Sequence, residues 1–141
     1  MSLVWREQLS VGNDLIDADH KYLIDIVNQI EKSFDTKNRH ELSAALDSLS
    51  QYSQKHFAQE EKIASAAGYT QVPHMHQSHE VLVKALDRAR QEIEAMGQEW
   101  SPTAIEHFTN LLRNWLVDHV IKEDLLMKSA LQKHPPNFDP R

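Results

Sequence analysis

The sequence predicts an all-α protein, an antiparallel up-down-up-down four-helix bundle with an N-terminal arm. Three observations lead there. Only 3 Gly and 5 Pro in 141 residues leave few places to break regular structure. Apolar residues recur at helical spacing in four separate stretches. The links between those stretches are short, which makes sequential helices antiparallel neighbours. A chain of this length, 40% apolar and 26% charged, is one domain (1–141) able to bury a core without disulfides or other staples.

Residues 1–14 read as the arm. The first helix, about 15–35, carries the inward stripe Ile16, His20, Leu23, Val27, Ile30, Phe34 and ends near Asp35-Thr36-Lys37-Asn38. Asp17 and Asp19 read as capping residues near its start, with tuning of the charge near His20 as the alternative. The second, about 39–67, carries Leu42, Leu46, Leu49, Ser53, His56, Glu60, Ile63, Ala67 and stops at Gly68. The third, about 73–96, has Pro73 in its first turn and the stripe Val72, Met75, His79, Leu82, Leu86, Ala89, Ile93, Met96 before Gly97. Ser101-Pro102 caps the fourth, about 102–133, whose stripe is Ile105, Phe108, Leu112, Trp115, His119, then Leu126, Met127 and Leu131. Pro135-Pro136 opens a short tail.

Composition excludes several classes of function. With no Cys, thiolate zinc sites, iron–sulfur clusters and cysteine nucleophiles are ruled out, so any metal must take N and O ligands. A formal charge of −6 with scattered Lys and Arg argues against a nucleic-acid partner. No apolar run approaches the ~20 residues that span a membrane, and the opening Met1-Ser2-Leu3-Val4-Trp5-Arg6-Glu7 has no signal-like apolar region. The expectation is a soluble cytoplasmic protein with no obligate protein partner.

The inward stripes nevertheless carry ionisable groups where Leu would be expected: His20, His56, Glu60, His79, His119 and, close by, Asp124. One inward histidine alone is most simply a hydrogen-bonded core residue. Two carboxylates are harder to place, because an unpartnered buried carboxylate costs several kcal/mol. A metal between them would supply the missing positive charge. Imidazole and carboxylate suit iron, manganese or zinc, and six groups exceed one tetrahedral site, which favours two ions. Ferritin-type di-iron proteins use Glu-x-x-His on two helices, a pattern absent from this chain. His40, His107 and His134 lie off the stripes and read as surface residues.

At these positions the chain resembles the hemerythrin family, in particular the single-domain bacterial hemerythrins. The pieces that carry the resemblance are Trp5, Val11-Gly12, Ile16-Asp17-Ala18-Asp19-His20-Lys21, His56-Phe57-Ala58-Gln59-Glu60-Glu61, Gly68-Tyr69, His79 with Leu82, and Trp115-Leu116-Val117-Asp118-His119-Val120 with Asp124. The resemblance implies an oxo- or hydroxo-bridged non-heme di-iron centre, two Fe ions that bind O2 reversibly for oxygen carriage, storage or sensing. It implies His20 and His56 on one iron, His79 and His119 on the other, and Glu60 and Asp124 bridging. Leu23, Trp115 and Leu116 would line the apolar ligand pocket, open also to small anions such as azide. The chain is then a binding protein rather than an enzyme; the alternative is an oxidase-like, peroxidase-like or nitric-oxide-reactive enzyme using the open iron position.

Two features depart from a simple pattern. His119 and Asp124 are five apart, about 140° around a regular helix, so either they reach a site between them or one turn widens into a π-bulge. The family pattern also places a histidine four before His79, where this chain has Met75. His76, three before His79, stands as the alternative ligand if the turn adjusts, whereas His74 points too far around the helix.

Overall fold

The computed structural model describes residues 3–97 and 100–140. Its long helices are α1 (Asp14–Asp35), α2 (Arg39–Ala66), α3 (Val72–Ala95) and α4 (Pro102–Arg113). Helical winding continues past α4 through a π-helical segment (Asn114–Ile121), α5 (Lys122–Asp124), a 3-10 turn (Leu125–Met127) and α6 (Lys128–Leu131). The fourth stretch is thus one uninterrupted helical path that changes its winding four times. Among the described residues, no helix is long and apolar enough to cross a membrane.

Short side chains start three of the four long helices, and α3 begins without one, with Pro73 in its first turn. Asn13 accepts from the amides of Leu15 and Ile16, Asn38 from Glu41, and Ser101 from Ala104 with Pro102 next in the chain. Asn13, not an aspartate further on, therefore caps α1. Asp17 lies within the first turn and holds the arm instead, accepting from the Val11 amide at 2.9 Å and from the Ser10 hydroxyl. Gly68 ends α2 at φ +85, where Tyr69 N–H reaches back to Ala64 C=O at 3.0 Å. The link after α1 makes the same turn without glycine: Lys37 takes φ 54 and Asn38 N–H bonds Ser33 C=O at 3.0 Å.

The buried apolar residues fall into two clusters. The larger holds Leu23, Val27, Ile30 and Phe34 of α1, Leu46, Leu49 and Phe57 of α2, Leu82 and Leu86 of α3, and Leu112, Trp115, Leu116 and Ile121 of the fourth stretch. The smaller holds Val11, Ile16, Ile63, Ala67, Met75, Met127 and Leu131. Every stretch passes from one cluster to the other across a polar residue: His20 between Ile16 and Leu23, Glu60 between Phe57 and Ile63, His79 between Met75 and Leu82, Asp124 between Ile121 and Met127. A polar layer thus divides the core. Trp115 Nε1–H donates to Leu82 C=O at 2.9 Å inside the larger cluster and ties the π segment to α3.

Leu116 has none of its surface exposed and fills the larger cluster beside that tie. Leu116→Ala should lower the unfolding free energy by about 2–5 kcal/mol in urea titration. Val81, 66% exposed, is the contrast: Val81→Ala should change it by less than about 0.5 kcal/mol. Equal effects of the two would mean that the packing is misassigned.

Candidate metal centre

The polar layer brings together His20 of α1, His56 and Glu60 of α2, and Asp124 of α5. Each is buried, and each offers a ligand atom within 4.8 Å of the others'. His56 and Glu60 are four apart and share one face of α2, with Nε2 2.8 Å from Glu60 Oε2. His20 Nε2 lies 2.7 Å from Asp124 Oδ2 and 3.7 Å from Glu60 Oε2. His79 of α3 adds a third imidazole, its Nε2 3.1 Å from Glu60 Oε1 and its ring stacked on Phe57 at 4.1 Å between centroids. Five of the six expected groups therefore converge.

Two carboxylates that the stripe pattern misses orient these imidazoles. Asp19 accepts from His56 Nδ1–H at 2.8 Å and from the Tyr52 hydroxyl at 2.6 Å, so it is a support for His56 rather than a helix cap. Burial pushes Asp19 up, but its hydrogen bonds from His56 and Tyr52 outweigh this and hold it below the usual carboxylate range. An ionised acceptor fixes the proton on Nδ1 and leaves Nε2 of neutral His56 for a metal. Glu61 does the same for His79, accepting from Nδ1–H at 3.0 Å. Each lies one position from an inward ligand, Asp19 before His20 and Glu61 after Glu60, and that adjacency was the available signal.

The structure does not bring His119 or His76 to the centre. A π-turn bonds i to i+5, so the residue stacked beneath buried Trp115 is Val120, not His119. Val120 is 1% exposed, while His119 is exposed in a groove with Arg88, Glu92 and His107. The widened turn resolves the five-residue spacing in favour of Asp124 alone, which follows Val120 by one α-turn and is buried. His76 is exposed and bound to Glu61 and Glu80 at 2.7 and 2.9 Å. Met75 keeps the inward position, 7% exposed, beside a small cavity shared with His79, Tyr69 and Ser78. His40 and His107 are exposed, and His134 is half-buried against Phe138.

The donor set fits a metal. His20 Nδ1, His56 Nε2 and Glu60 Oε2 are buried without a hydrogen-bond partner among the described residues. The last two are 2.8 Å apart, yet their geometry is wrong for an N–H···O hydrogen bond. Without a cation, protons compensate. Burial and the Glu60 charge push Asp124 up to about 7. Burial also opposes ionisation of Glu60, but the His56 charge and the hydrogen bonding of Asp124 outweigh it and hold Glu60 well below its usual range. Burial lowers His20, His56 and His79, but their carboxylate partners win and raise all three.

These directions fix how stability depends on pH. Glu60 and Asp19 contribute stability that is fully present above the usual carboxylate range. Asp124 and the three histidines are raised, so the folded chain binds more protons than the unfolded one near neutrality, and stability falls as pH rises. Chelator-stripped protein should melt at a lower temperature at about pH 8.5 than at about pH 6. A melting temperature that climbs over this interval would contradict the assignment.

Comparison with known proteins agrees with this centre. The model of the Hemerythrin HHE cation binding domain family matches residues 11–131. Bacteriohemerythrin of Stenotrophomonas maltophilia is 27% identical over 136 residues, covering 96% of this chain and 86% of the relative. Bacteriohemerythrin of Methylococcus capsulatus is 31% identical over 115 residues, covering 82% and 85%. Myohemerythrin of Sipunculus nudus is 26% identical over 128 residues, covering 91% and 92%. A crystal structure of a hemerythrin point mutant superposes with a TM-score of 0.76 at 27% identity, covering 92% of this chain and 96% of that one. With the family match running from the arm to α6, and with the buried histidine–carboxylate layer at its middle, this chain belongs to the hemerythrin family.

Proposed function

We propose that the chain holds two iron ions and binds O2 reversibly, without turning over a substrate. The observation that carries this reading is the set of buried, unpartnered donor atoms, His56 Nε2 and Glu60 Oε2 foremost, in a layer otherwise sealed between apolar clusters. A pair of ferrous ions, when bound, supplies the two electrons that reversible O2 uptake requires. In this reading Glu60 and Asp124 span the pair, His20 and His56 serve one ion, and His79 serves the other.

The chain's own groups explain how such a centre is held and shielded. Asp19 and Glu61 keep the Nδ1 protons of His56 and His79 in place, which preserves Nε2 as ligand. Leu23 and Leu116 are fully buried and Trp115 nearly so; on the apolar side they keep water from the layer. Met75 places a thioether where the family pattern has imidazole. Thioether sulfur is a poor donor to ferric iron, so position 75 supplies no ligand to the second ion.

Anaerobic loading with ferrous iron followed by cycles of O2 and argon, read by iron analysis and visible absorption, tests the function. Expected are about two irons per chain and an O2-dependent colour that appears and fades reversibly. Steady O2 consumption with an added reductant would replace this reading by an oxidase-like one. Glu60→Gln removes a ligand shared by both ions and should lower iron content below one per chain; an intact absorption spectrum in that variant would refute the bridging role. Met75→His restores the missing imidazole, and the O2-dependent colour should persist longer than in the parent. An unchanged lifetime would show that position 75 does not face the second ion.

A further inference from the structure

The metal centre is sealed. His20, His56, Glu60 and Asp124 are each no more than 1% exposed, so an ion needs a route inward. His79 is the inner residue that reaches open space. It forms part of the floor of a groove of about 490 Å³ between α2 and α3, with Phe57 and Val83 as apolar walls and Glu61, His76 and Glu80 as polar ones.

Glu80, His76 and Glu61 offer donor atoms in succession, and Glu61 holds the His79 ring by Nδ1–H so that Nε2 is the next donor inward. Exposed Glu80 lies 2.9 Å from His76 Nε2, and His76 Nδ1 lies 2.7 Å from Glu61 Oε1. Glu61 Oε2 lies 3.0 Å from His79 Nδ1, whose Nε2 is 3.1 Å from Glu60 Oε1 in the centre. Imidazole and carboxylate are the donors that the centre itself uses. At the far end, Glu60 Oε2 and His56 Nε2 are buried without a hydrogen-bond partner among the described residues.

The two nitrogens of His76 point away from each other. A cation on His76 can therefore share Glu80 or Glu61, but not both at once. The arrangement offers two successive two-donor stations and not one closed three-donor site, which suits capture and release more than retention. Two carboxylates against one lysine at the rim, Lys84, favour a cation over an anion.

We propose that His76, Glu80 and Glu61 form the loading port through which a hydrated divalent cation is captured at the surface and passed by way of His79 to the buried centre. The port rests on the metal-centre reading, with Fe2+ as the cation. It also gives His76 a role that does not require it to become a permanent ligand.

Ferrous uptake by the anaerobic metal-free protein tests this, with aliquots quenched by a strong chelator at successive times. The double variant His76→Gln with Glu80→Gln should take up iron about tenfold more slowly, and its uptake should depend less on salt, while final iron content equals that of the parent. Val83→Trp, which narrows the groove without removing a donor, should also slow uptake. Unchanged uptake rates in both variants would overturn the port. A lower final iron content in the double variant would overturn it in another way, by making His76 a resident ligand. Failure of the parent itself to take up iron would instead refute the metal-centre reading on which the port rests.

Discussion

Two carboxylates, Glu60 and Asp124, sit together with three imidazoles between two apolar clusters, and the rest of the structure is arranged around that fact. Removing such charges from water costs several kcal/mol each unless opposite charge and hydrogen bonds meet them. The bundle answers with protons on Asp124, with the raised affinities of His20, His56 and His79, and with the outer carboxylates Asp19 and Glu61. Protons leave His56 Nε2 and Glu60 Oε2 facing each other without a bond, and a cation completes what they leave open.

The division of the core follows from the same constraint. Each helical stretch crosses from the larger apolar cluster to the smaller through one polar layer, so the layer stays in register only if all four stretches do. In the fourth, regular α winding from Trp115 would bring His119 inward and carry Asp124 off the face. The π segment inserts the extra residue that puts Val120 inward and Asp124 in the layer. Local winding, not residue type alone, decides which donors face the centre.

Much of this was legible in the sequence. Helical periodicity located all four stretches because their apolar stripes are long, and the capping residue Ser101 and the terminator Gly68 marked two of their ends. The centre was visible because polar residues stood in apolar stripes, a contradiction that burial makes expensive. Asp19 and Glu61 were not visible in that way. Both lie one position off the stripe, where a carboxylate is unremarkable until the neighbouring helix supplies the imidazole it supports. The outward position of His119 was hidden because periodicity assumes constant winding, and Lys37 shows similarly that a left-handed turn can close without glycine. His76 seemed a substitute ligand from spacing alone; its ring is engaged by Glu61 and Glu80 at the surface.

A dinuclear metal centre and a proton-compensated core differ in what the buried layer does to bound iron. Mössbauer and electron paramagnetic resonance spectra of protein loaded with iron-57 and then oxidised separate the two. Two ferric ions joined through shared carboxylates couple their spins, so the account predicts that nearly all the iron appears as a coupled pair with no paramagnetic resonance signal. Iron found only as isolated, paramagnetic ferric ions would contradict it.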